Sequence, residues 1–340
     1  MRLLSLLTVL LFTIVSAGCG GGSEPAPADP RPAIGLLLDS LEHERWHRDR
    51  DLFVKRVEEL HGTVQVRTAD GDADKQAAEA TALLDAGVKV LVVVPTDLEK
   101  AAAIVQAATA RKVPVISYDR LIRNAEIALY VSFDNVKVGR MQALQLLQAA
   151  PRGNYVLLGG AENDYNARLV RDGQMEVLEP AVASGAVRIV ADPWIPGWDA
   201  AEARTAMAAA LKKTRRVAAV VASNDAIAGG AVEALSAAGL AGKVPVSGQD
   251  ADLAACQRIV AGTQSMTVYK PLQPLARMAA FEAMKLAEGG TVDKGVTVNN
   301  GAAEVPARLL EPISVDKGNI DATVVRDEYH TREEVYGKTD

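Results

Sequence analysis

The sequence predicts an α/β protein built as two doubly wound parallel-sheet lobes, and three observations carry that reading. From residue 33 onward, short β-branched runs alternate with alanine-rich stretches of helical length, the pattern of βαβ units around a parallel sheet. The chain has 340 residues, 49% of them hydrophobic, which is enough for a large core and too long for one comfortable domain. Ten strand candidates occur, too many for one small sheet.

The first segment lies outside that pattern. Residues 1 to 18, MRLLSLLTVLLFTIVSAG, place one arginine before an apolar stretch and then small residues, the layout of a secretory signal. Val15-Ser16-Ala17-Gly18-Cys19 reads as a lipobox, which makes Cys19 a lipidated first residue of the mature chain and a membrane anchor. Residues 19–31 follow as a flexible tether rich in glycine, serine and proline. The alternative is an ordinary secreted protein in which Cys19 pairs with Cys256; the tether favours the anchor. Cys256, in AACQRIV, reads as a small core residue.

The strand candidates then run AIGLLL (33–38), TVQVRT (63–68), KVLVVV (89–94), VPVIS (113–117), ALYVS (128–132), NYVLLG (154–159), VRIVA (187–191), VAAVVA (217–222), VPVSG (244–248) and SMTVY (265–269). Helices fit between them. Phe53, Val57 and Leu60 share a face of the first, and the segments Leu98 to Thr109 and Ala200 to Leu211 carry high helix propensity. Gly159-Gly160 and Gly229-Gly230 read as close-packing or turn glycines.

Ligands of open parallel sheets bind beyond the carboxyl ends of the strands, so the residues there are the ones to inspect. They are polar throughout: Asp39-Ser40, Thr96-Asp97, Tyr118-Asp119-Arg120, Glu162-Asn163-Asp164, Ser223-Asn224-Asp225, Gln249-Asp250 and Lys270. An aspartate before a helix is often only an N-cap, and Asp39, Asp97 and Asp225 are assigned that role. Arg120 and Lys270 cannot cap. A mixture of acids, amides and bases suits a neutral polyol, whose hydroxyls donate to carboxylates and accept from cations together. Trp46 and Trp198, at strand ends, offer faces for the C–H side of a sugar ring.

Other chemistries lack their parts. With 37 basic against 43 acidic residues the net charge is −6, and no basic cluster with interleaved aromatics suggests nucleic acid. No G-x-S-x-G elbow, phosphate loop or dinucleotide fingerprint occurs. His43-Glu44-Arg45-Trp46-His47 matches HExxH, but an arginine between the ligands would repel Zn²⁺, so the match reads as chance. A glycosidase pair among Asp119, Asp164, Asp225 and Asp250 has a separation that the sequence does not give.

Beyond these features, LEHERWHRDRDLFVK, SYDRLI, YVSFDNVKVG, VVASNDAIAGGAVEALSAAGL, VSGQDADLA and AGTQSMTVYKP closely resemble the xylose branch of the ribose-type periplasmic sugar-binding proteins of ABC importers, across residues 33 to 330. The resemblance implies a type I periplasmic-binding fold, with lobes joined by a three-strand hinge crossing near Ser132 to Val136, Ser265 to Lys270 and Val305 to Leu310. The N-terminal lobe is then 32–134 plus 268–305 and the C-terminal lobe 135–267 plus 306–330, with 331–340 a tail. It implies ligand contacts from Arg45, Trp46, Asp119, Arg120, Asn166, Trp198, Asn224, Asp250 and Lys270, with Tyr165 departing from the pattern beside Asn166. The expectation is a monomeric, non-enzymatic, cofactor-free receptor, periplasmic or at the cell surface. It closes on D-xylose and delivers it to an ABC permease. Rivals are a receptor for ribose, glucose or arabinose, a sensor feeding a membrane kinase or chemoreceptor, and an enzyme. A regulator of the lactose-repressor type would need a DNA-reading helix pair where the signal stands.

Overall fold

The computed structural model describes residues 29–337; the expected signal, Cys19 and most of the tether lie outside the described residues. The first sheet is assembled from β1 (Ala33–Leu38), β2 (Thr63–Thr68), β3 (Val90–Val93), β4 (Val115–Tyr118) and β5 (Leu129–Phe133), with α1 (Glu44–Glu59), α2 (Ala73–Asp85) and α3 (Ala102–Ala110) between them. Side chains alternate across a strand, so β1 serves two cores at once. Leu36 and Leu38 pack with Phe53 and Val57 of α1, while Leu37 packs on the other face with Leu83 of α2 and Ile104 of α3. This two-sided cover explains why β1 and β3 to β5 read as nearly unbroken apolar runs. β2, at the sheet edge, reads as an alternating TVQVRT with no fully buried residue.

The second lobe contains α4 (Asn135–Ala149), β6 (Gly153–Leu158), α5 (Tyr165–Ala183), β7 (Val187–Ala191), α6 (Ala200–Lys213), β8 (Val217–Ala222), α7 (Asp225–Ala237), α8 (Leu253–Ala261) and β9 (Thr267–Tyr269). The chain then returns with α9 (Leu272–Ala287), whose Leu275, Ala279 and Ala283 join the core under α1. β10 (Thr297–Asn299) and β11 (Glu304–Leu310) complete the first sheet in the order β10-β11-β5-β4-β3-β1-β2. β12 (Ile313–Val315) pairs with β9 in the second lobe, and α10 (Arg332–Tyr336) closes the described chain.

Several expectations need correction. VPVSG is not a regular strand: Val246 makes one isolated bridge to Val220. Pro245 has no N–H for the ladder, and the Ser247 hydroxyl takes over, accepting from Ala222 N at 3.0 Å and donating to Ala222 O at 3.0 Å. The segment still stitches the sheet together, because Ser247 N donates to Val220 O and Val268 N to Gly248 O. The third passage between lobes comes after Leu310 rather than within Val305 to Leu310, since Ala307 to Leu310 pair in parallel with Tyr130 to Phe133. Within the expected tail 331–340, residues 331–337 are structured: Thr331 and Glu334 form a capping box that starts α10, and Val335 is buried in a cluster with Cys256. The helix expected from Leu98 begins only at Ala102, after a turn in which Asp97 accepts from Glu99 N and Lys100 N.

Glycines set the closest helix contacts. A Cβ on Gly173 of α5 would stand 1.9 Å from Val136 O of α4, and one on Gly139 of α4 the same 1.9 Å from Val170 O. Gly230 of α7 meets Ala200 O of α6 in the same way, the close packing expected of the Gly229-Gly230 pair. Side chains at these positions must push the backbones apart, so Gly173→Val should destabilise the fold by about 1–3 kcal/mol, read as a lower urea midpoint with an unchanged slope.

Candidate functional site

The carboxyl ends of both sheets converge on one cleft. From the first lobe come Arg45 and Trp46 in the opening turn of α1, and Asp119 and Arg120 just after β4. From the second come Asn166 at the start of α5, Trp198 before α6, Asn224 as the N-cap of α7, and Asp250; Lys270 sits on the passage between β9 and α9. All nine residues singled out by sequence line the same narrow cavity, in which about 40 Å³ of space is left between the side chains.

Its charges are paired across the lobes. The Arg45 guanidinium, 5% exposed, bonds Asp49 at 3.1 Å, Asp119 at 2.9 Å and, from the opposite lobe, Asp250 at 3.2 Å. Lys270 Nζ reaches the same Asp250 oxygen, Oδ1, at 2.9 Å. Arg120 repeats the arrangement with Asp39 at 2.6 Å on its own side and Asp164 at 2.9 Å across the cleft. Asn166 Nδ2 donates to the Asp119 carbonyl at 2.9 Å, and Tyr130 Oη donates to Asn166 Oδ1 at 3.3 Å. The lobes are therefore closed on one another.

Burial opposes ionisation of Asp119, but Arg45, Lys270 and Arg120 outweigh it and hold the carboxyl below the usual aspartate range. Asp250 is likewise lowered against its burial, by Lys270 and Arg45. Asp49 and Asp164 go the other way: burial raises both against the pull of Arg45 and Arg120 respectively.

Three of the nine residues hold left-handed backbone, Asp119 at φ 60°, Trp198 at φ 59° and Asp250 at φ 94°, and Ala251 follows at φ 53°. Such conformations persist only where surrounding contacts over-determine them. For Trp198 the contact is Gly160, where a Cβ would stand 2.2 Å from indole Cη2. The Trp198 Nε1 donor and the Gln249 Oε1 acceptor are buried with no hydrogen-bond partner among the described residues. Trp46 lies beneath two guanidinium groups, Arg45 at 4.4 Å and Arg120 at 5.5 Å from its ring.

Sequence reasoning left His43, Asp164, Gln249 and Asp252 out of the site, although all four line it. Asp164 and Gln249 stood at strand ends and carried the same signal as their chosen neighbours. Asp49, hidden in the charged string HRDRD, was visible only through its i,i+4 spacing from Arg45. Two capping assignments fail. Asp39 pairs with Arg120 instead of capping. The cap of α7 is Asn224, whose Oδ1 accepts from Ile227 N at 2.9 Å, whereas Asp225 is buried and bonded elsewhere. Tyr165 turns from the cavity to lie 4.7 Å under Arg123. In the HExxH string, His43 lines the cavity, His47 is exposed, and Arg45 points between carboxylates; among the described residues no His/Cys/Asp/Glu cluster fits a metal.

Arg45→Met leaves the buried carboxylates of Asp49 and Asp119 short of a partner, and the half-buried Asp250 with Lys270 alone, and should lower stability by about 3–5 kcal/mol in urea unfolding at pH 7. The signs of the Asp119 and Asp250 shifts add a pH test. Their lowered values give stability that is present above the ordinary aspartate value of 3.8 and is lost as pH falls through the lowered ones, so the gap between wild type and variant should narrow in that acid window.

Comparison with known proteins places this geometry. A model of the periplasmic binding protein domain matches residues 34–291. The D-xylose-binding periplasmic protein of Haemophilus influenzae is 48% identical over 304 residues, 89% of this chain and 92% of that one. Its counterpart in Escherichia coli is 46% identical over 334 residues, 98% of each. Among solved structures, a carbohydrate transporter solute-binding protein from Chloroflexus aurantiacus in complex with D-glucose superposes with a TM-score of 0.83 at 30% identity, covering 89% of this chain and 98% of that one.

Proposed function

The chain belongs to the periplasmic binding protein family, and from that premise we propose that it is an exported receptor for an aldopentose, D-xylose, which it hands to the membrane subunits of an ABC importer. It is a binding protein and not an enzyme. The observation that carries the choice of ligand class is the convergence of nine polar and aromatic side chains from two lobes on one cavity in which each cation is paired with carboxylates. A neutral polyol is the ligand such a cavity accepts, because every cation already faces a carboxylate and hydroxyls can donate to the acids and accept from the cations together.

Each proposed contact has a chemical part. Asp119 and Asp250, held ionised, accept from sugar hydroxyls; Arg45, Arg120, Lys270, Asn166 and Asn224 donate; Trp198 offers its unpartnered Nε1 and Gln249 its unpartnered Oε1. Trp46 and Trp198 wall the ring. Closure supplies the mechanism: only the closed arrangement presents both lobes to one ligand, so the sugar stabilises it by its differential affinity. D-xylose is preferred over a hexose because the two relatives at 46% and 48% identity carry that name, whereas the glucose complex stands at 30%. Cys19 as a lipid anchor, with residues 19–31 as its tether, is part of the same proposal.

Calorimetry with a panel of pentoses and hexoses tests the reading: D-xylose should bind most tightly, with a dissociation constant well below millimolar, and should shrink the radius of gyration in solution scattering. Asp250→Ala removes an acceptor and unpairs Lys270, so it should weaken xylose binding by about 2–4 kcal/mol, roughly one and a half to three decades. Full affinity in that variant, or a panel in which ribose, glucose or arabinose wins, overturns the assignment. The anchor has its own measurement: in a bacterial host Cys19→Ser should move the protein from the membrane fraction to the soluble one.

A further inference from the structure

Asp225 is buried to 1% exposure and lines no part of the cavity, yet its carboxylate is among the most heavily bonded in the second lobe. Oδ1 accepts from Gln264 Nε2 at 2.7 Å, and Oδ2 accepts from Thr267 Oγ1 at 2.8 Å and from Asp252 N at 3.0 Å. Its own N–H donates to Gln249 O at 3.0 Å. Thr267 Oγ1 in turn accepts from Ala251 N at 3.2 Å. The loop held this way contains the two consecutive left-handed residues Asp250 and Ala251, and a Cβ on Gly248 would fall 1.8 Å from Asp225 Oδ1. Backbone of this kind does not hold itself; its neighbours must impose it.

We propose that Asp225 is a positioning residue for ligand binding: its carboxylate fastens residues 251–252, at Asp252 N directly and at Ala251 N through Thr267, so that the Asp250 side chain just before them is presented to Arg45, Lys270 and the bound sugar. The sugar in this inference rests on the function proposed above; the fastening does not. All three neighbours donate, so the ionised carboxylate satisfies them together; a proton on Oδ2 must displace one of its two donors, and a proton on Oδ1 weakens the acceptor for all three. The groups around it divide. Arg258 of α8, which donates to Asp225 O at 2.8 Å, favours the charge; Asp250 and Asp252 oppose it, with Glu44 of α1 adding to the field on Asp252 and the Cys256 thiol, pushed up to about 12, staying neutral. Burial is the largest influence and pushes the Asp225 carboxyl up to about 7.

The experiment uses Asp225→Asn and Asp225→Ala with two readouts. Without sugar, the Ala251 and Asp252 amides should exchange hydrogen at least tenfold faster in Asp225→Asn, while core amides such as Val92 keep wild-type protection. With D-xylose as the probe, wild-type affinity should rise as pH climbs through about 7, whereas Asp225→Asn should bind roughly tenfold more weakly at pH 8 with a flat profile, and Asp225→Ala more weakly still. The wild-type pH profile stands even if Asp225→Ala fails to fold. Unchanged protection of the two amides, or a wild-type profile that is flat or is shared by Asp225→Asn, overturns the proposal. Absence of xylose binding by the wild type would instead sink the choice of sugar, and amide exchange would still decide the role of Asp225.

Discussion

One buried guanidinium organises the cleft. Arg45 is out of water, and a charge in that position is tolerable only if it is paired and fully hydrogen-bonded. Its three carboxylates come from α1, from the end of β4 and from the loop before α8, so the pairing is complete only when the lobes meet. Among the charges that ionise Asp119, Arg45 is the first; Asp250 is held ionised by Lys270 and Arg45 together, and Trp46 lies under Arg45 and Arg120. Arg120, between Asp39 and Asp164, is a second copy of the same device at the other side of the cavity.

The fold supplies what such a device requires, which is side-chain placement that does not drift. Strand ends are fixed by sheets buried on both faces, and the helices behind them approach until only glycine fits, as at Gly139, Gly173 and Gly230. On that base the connecting loops hold unfavourable backbone at Asp119, Trp198 and Asp250, where a strained residue aims its side chain at the ligand space. Closely packed lobes with strained loops at their facing ends suit the two-body closure proposed above.

How much of this was legible in the sequence differs by kind of feature. Strands buried on both faces stood out because a parallel sheet imposes an apolar run; β10 and β12, three residues each and partly solvated, gave no such signal. Arg120 and Lys270 were legible as site residues because a cation after a strand has no capping role to explain it. Asp225 was misread for the converse reason: an aspartate opening a helix has a ready local explanation, and only the contacts from Gln264, Thr267 and Asp252 reveal another. Cys19 and its neighbours remain a sequence reading, since they precede the described residues.

The sequence by itself determined the alternation of strands and helices, the family resemblance and the residue types available at the strand ends. These are properties of periodicity and side-chain chemistry, which act over a few neighbouring positions. The tertiary structure alone decided which charge meets which. Arg45 and Asp250 are 205 positions apart, and Asp39 and Arg120 are 81 apart, so no local pattern could pair them. Whether a carboxyl is ionised, fastened or merely capping depends on its distance to such partners and on its removal from water, and both are set only when the lobes are folded and brought together.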